Sequence, residues 1–76
     1  MKDYANTPLR AGFNKTELAL AYFPNSSPES ARRALLRWFA YNPPLMHRLL
    51  ELGYNKLQHY FTPAQVDAIY EFLGEP

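Results

Sequence analysis

Apolar residues recur at three- and four-residue intervals in several stretches of this chain, and the stretches are bracketed by the start and stop signals of helices. Asn14 can cap free N–H groups, Glu17 sits at the reciprocal N3 position, and Phe13 and Leu18 stand where a hydrophobic staple would join. Pro24 ends that first helix, because proline disfavours helical geometry in the residue before it. A short polar turn, Pro24-Asn25-Ser26-Ser27, leads to Ser27 as N-cap and Pro28 at the first helical position, with Glu29 set to complement the helix dipole. The spacing predicts a second helix to about Tyr41. Its buried stripe is Ala31, Ala34, Leu35 and Trp38 with Phe39 at the edge; Ser30, Arg33 and Arg37 lie opposite and Arg32 on a flank.

Asn42-Pro43-Pro44 breaks the second helix and can begin a third, since proline is tolerated in a first turn. There Leu45, Leu49 and Leu52 form the stripe, widened by Met46 and Leu50, while His47, Arg48 and Glu51 face away. Gly53 suits the C′ position, where positive φ is needed, and Tyr54 can fold back on the helix end. Residues 54–61 show neither period and are expected as an ordered loop or a brief extended piece. The last helix opens with Thr62, Pro63 and Gln65, a Thr-x-x-Gln capping box stapled by Phe61 and Val66. Val66, Ile69, Tyr70 and Leu73 make its inner face, and Gly74 ends it. The expected fold is a single small all-α domain of four short helices over residues 14–76, with a helix-turn-helix-like first pair. Residues 1–13, with Pro8 and Gly12 and no sustained period, are expected as a flexible arm.

With 76 residues, the domain sits near the size at which one apolar core supplies only ~3–5 kcal/mol of net stability. No cysteine is present to add a disulfide or a thiolate metal site, so large side chains or self-association must compensate. One tryptophan, six tyrosines and five phenylalanines offer large burial per residue. The cysteine-free composition fits a reducing cytoplasm. No apolar run approaches the length of a membrane span and the first residues lack a signal peptide's apolar core, so a soluble intracellular protein is expected.

The formal net charge of +1 conceals a split. In residues 25–50, Arg32, Arg33, Arg37 and Arg48 outweigh Glu29 by about three charges; in residues 51–76, Glu51, Asp67, Glu71 and Glu75 outweigh Lys56 by about as much. The second helix of a helix-turn-helix enters the major groove, and arginine's fork addresses either guanine or phosphate. Ser30, Arg32, Arg33 and Arg37 are therefore the candidate nucleic-acid-binding residues. Against this stands a total charge far below that of a dedicated DNA binder, and any solvated helix face can carry arginines. The alternative is a protein-interaction or self-associating module. Leu20, Leu36, Met46 and Leu50 lie off or at the margin of their helices' stripes, where together they would form an interface patch.

Catalysis is not expected. His47 has only Glu51 at helical spacing and His59 stands alone, whereas a metal site needs three or four converging ligands. Ser26, Ser27 and Ser30 are turn and cap residues, and there is no glycine-rich phosphate loop or nucleophile elbow. No cofactor or small-molecule substrate is inferred.

The run KTELALAYFPNSSPESARRALLRWFAYNPPL, then LLELGYN, then YFTPAQVDAIYEFLGEP, resembles a family of short uncharacterised proteins found in Bacteroides and related gut bacteria. The shared features are a YFP turn, an arginine-rich segment before tryptophan, a Leu…GY step, an FTPxQV helix start and a terminal LGEP. The resemblance covers about residues 15–76 and implies a small helical bacterial protein of the cytoplasm. That family is a domain of unknown function, so the resemblance carries over no catalytic or binding residue. Glu75 and Pro76 have no packing role that the sequence explains.

Overall fold

A computed structural model of the chain describes residues 13–76. The arm expected over 1–13 and the staple from the Phe13 side chain fall outside the described residues, apart from the Phe13 backbone. Four helices follow: α1 (Lys15–Tyr22), α2 (Pro28–Ala40), α3 (Pro43–Glu51) and α4 (Pro63–Leu73). Two short strands, β1 (Phe13–Asn14) and β2 (Tyr60–Phe61), pair antiparallel with Phe13 opposite Phe61 and Asn14 opposite Tyr60. The fold is all-α, with this single bridge clasping the chain before α1 to the segment before α4.

Each helix begins where a polar side chain can take up its orphan N–H groups. Asn14 Oδ1 accepts from the backbone N–H groups of Thr16 and Glu17, and Ser27 Oγ from Ser30. Asn42 Oδ1 accepts from Leu45, and at α4 the Thr62–Gln65 capping box is complete. Pro28, Pro43 and Pro63 occupy first-turn positions, where the missing N–H costs nothing. α3 closes in a Schellman motif: Gly53, at φ 86°, donates to Leu50 O, and Tyr54 donates to Leu49 O at 2.9 Å. Tyr54 is thereby turned back into the core.

That core joins Leu18 and Ala19 of α1; Ala31, Leu35 and Phe39 of α2; and Leu45 and Leu49 of α3 to Phe61 and to Val66, Ala68 and Ile69 of α4. The stripe expected on α2 is rotated. Phe39, placed at the edge by the spacing, is fully buried, while Ala34 is half-buried and Trp38 is 38% exposed. The partners explain the shift. Phe39 meets Tyr54 and Phe61 edge to face at centroid distances of 5.9 and 6.0 Å. Trp38 instead covers the end of α1, 4.5 Å from Phe23 and 5.7 Å from Tyr22, and keeps one edge in water. On α4, Val66 and Ile69 are buried as expected, Tyr70 and Leu73 only partly, and Gln65 and Ala68 join the inner face.

Residues 54–61 are a turn followed by the extended β2. Gln58 N donates to Asn55 O, and the Asn55 and Gln58 side chains accept from Leu57 N and Asn55 N at 2.8 Å. Among the described residues no helix is long and apolar enough to cross a membrane.

Candidate functional site

The exposed face of α2 carries three of the four residues singled out for nucleic acid. Ser30, Arg33 and Arg37 are exposed at three- and four-residue spacing, with the 75%-exposed Tyr41 beyond them. Arg33 Nη2 lies 2.7 Å from Glu29 Oε2, an exposed pair of adjacent turns. Such pairs contribute only ~0.2–1 kcal/mol, so an anion could displace Glu29 at small cost. The Arg37 guanidinium has no hydrogen bond or ion pair among the described residues. Arg32 departs from the other three: it is half-buried, and its Nη1 donates to Thr16 Oγ1 of α1 at 3.1 Å.

A second surface lies where α2, α3 and the following loop meet. Leu36, Met46, Leu50, Tyr54 and Lys56 line an open, mainly apolar groove of about 340 Å³. Met46 and Leu50 are one turn apart on α3, so they share a face. Leu50 remains 57% exposed. Three of the four margin residues from the sequence thus come together; Leu20 packs elsewhere against the core. Tyr54 forms the floor, its ring stacked 6.2 Å from Phe61 and 92% buried by the folding-back at Gly53. Its hydroxyl oxygen is buried with no hydrogen-bond partner among the described residues. Burial pushes the pKa of this phenol up, so it is a neutral donor at physiological pH.

Lys56 brings two further cations to one end of the groove. Its backbone carbonyl accepts from Lys15 Nζ at 2.7 Å, and Lys15 is itself almost wholly buried. Burial, and secondly the charge of Arg32, pull the Lys15 pKa below its ordinary value. Arg32 lies one turn before Leu36 on the same side of α2. Among the described residues the ion pairs are Arg33–Glu29, His47–Glu51 and Arg48–Glu51, so no carboxylate pairs with Lys15, Arg32 or Lys56.

Two polar features had no signal beyond local rules. Gln65, expected only as half of a capping box, is 1% exposed and joins three segments. Its Oε1 accepts from Thr62 N and Gln58 Nε2, and its Nε2 donates to Leu52 O at the end of α3. The C-terminal tail is tied to α1, where the Tyr22 hydroxyl donates to Gly74 O. Burial, then Tyr70 and Glu75, push the Tyr22 pKa up to about 12. His47 and His59 are exposed, and among the described residues no three His, Asp or Glu side chains gather as metal ligands would.

The model of a family described as a domain of unknown function, DUF4248, matches residues 11–76, and the chain belongs to that family. No curated protein and no solved structure matches the chain.

Proposed function

We propose that this DUF4248 member is a non-enzymatic, cytoplasmic binding protein whose groove between α2 and α3 receives an apolar segment of a partner protein. The observation that supports this reading is that the half-buried Leu36 and Met46, which also pack against the core, and the exposed Leu50 line one open groove. Full burial of a leucine contributes about 1.5–3 kcal/mol, and roughly half of that is available at the half-covered Leu50. A groove of this size therefore suits a short segment and a reversible contact rather than an obligate interface. Selection of a random peptide library on the wild-type protein, with counter-selection on Leu50→Glu, tests it. Because Leu50 is mostly exposed, the variant keeps the fold; peptides that bind wild type and not the variant support the reading, and failure to recover any removes it.

DNA binding through α2 is the second reading, supported by the exposed Ser30, Arg33 and Arg37 and the unpaired Arg37 guanidinium. Arg32, held on Thr16, would contribute field rather than direct contact. A duplex titrated with salt should then bind with a log–log slope of ~−0.9 per phosphate contacted, and Arg33→Glu with Arg37→Glu should abolish binding. No binding at low salt would leave the groove as the working surface.

A further inference from the structure

We propose that the groove is selective for acidic peptides: a bulky apolar anchor fills the space over Leu36, Met46 and Leu50, and a neighbouring carboxylate meets the Lys56 end. This deepens the groove reading above and rests on it. Two observations carry it. Lys56 is the one charged residue lining the groove. Lys15 and Arg32 stand behind it, and none of the three has a carboxylate partner among the described residues.

These features discriminate among occupants. A basic segment would meet Lys56 directly and feel the like charges of Lys15 and Arg32 behind it. An acidic segment gains at Lys56, because a hydrogen bond between charged groups is stronger than a neutral one. A groove of about 340 Å³ falls at the small end of ligand pockets, room for one large side chain and its neighbours.

The peptides recovered against the wild-type protein and not against Leu50→Glu provide the test. Enrichment of Asp or Glu beside an aromatic or aliphatic anchor is expected. For the best such peptide, fluorescence anisotropy should show Lys56→Glu weakening binding about tenfold or more, the range of a lost charge-assisted bond. A peptide with Lys in place of its acidic residues should in turn prefer the Lys56→Glu protein. Groove-dependent peptides without acidic bias, or affinity indifferent to Lys56→Glu, overturn the charge selectivity but leave the groove reading intact. No peptide that distinguishes wild type from Leu50→Glu overturns both. A mass that doubles with concentration in wild type and not in Leu50→Glu replaces the peptide with a second copy.

Discussion

Gly53 and Gln65 show how much of this small domain hangs on single residues. A Cβ added at Gly53 would meet nothing within 4 Å, so the cost of Gly53→Ala is conformational, set by φ at 86°. That cost is ~1–2 kcal/mol, and each kcal/mol lowers Tm by about 4–8 °C in a domain this small. The drop is expected with the helical circular dichroism of the folded state unchanged. A drop of less than a degree would mean the Schellman turn opens without consequence. Gln65→Leu keeps most of the side-chain volume but strands Leu52 O and Thr62 N, the partners of the buried amide. A stranded buried group costs about 1–3 kcal/mol, whereas a lost cap such as Thr62→Ala costs about 1 kcal/mol. Urea denaturation should therefore rank Gln65→Leu as the more damaging of the two, and the reverse order would show that Leu52 O finds water once the amide is gone.

At the scale of the elements, α2 shows what local pattern can and cannot convey. Phe39 is fully buried between Tyr54 and Phe61, and Phe39→Ala should cost ~3–5 kcal/mol, enough to unfold a domain of this size. Trp38 is 38% exposed, and Trp38→Ala should cost clearly less and leave a folded protein. Equal damage from both would put the indole in the core after all. The spacing of apolar residues ranks these two the other way, because a helix's sequence specifies a stripe but the neighbour it meets decides the centre of the stripe. Helix ends were legible for the opposite reason: Asn14, Ser27 and Thr62 act on N–H groups two or three residues away, and Pro43 and Pro44 mark the start of α3. Residues 54–61 were not legible, since their order comes from distant partners, with Lys15 holding Lys56 O, Gln65 holding Gln58, and β1 pairing with β2. The groove was half legible. Leu36, Met46 and Leu50 stand out by their marginal spacing, whereas Tyr54, Lys56 and the cations behind them meet only when α1, α2 and the loop pack together. The arginines show the same limit: Arg32 faces Thr16 for a reason no helical wheel contains.

Across the whole molecule, a few titrating groups join elements far apart in sequence, and they give stability a particular alkaline profile. Tyr22 links α1 to the C-terminal tail, Tyr54 lies beneath the groove, and Lys15 ties α1 to the loop after α3. Both phenols have raised pKa values, so the folded state holds protons that the unfolded chain releases. For Tyr22 that stability is fully present below the ordinary value of 10.0 and is lost as pH rises through about 12. Lys15 works in the opposite sense. Its pKa is lowered, so the folded state disfavours its charge, and stability rises with pH from the lowered value up to the ordinary 10.5. With these opposed contributions the urea midpoint should climb on the alkaline side, peak at about pH 10 and then fall. Tyr22→Phe should flatten the descent without removing it, since Tyr54 still ionises late, and Lys15→Met should flatten the climb. Absorbance at 295 nm gives an independent check, because Tyr22→Phe should delete a late-ionising tyrosine from the titration curve. If the descent were as steep in Tyr22→Phe as in wild type, the bond from Tyr22 to Gly74 would not be holding the tail in solution, and the C-terminal residues would be free to serve some other contact.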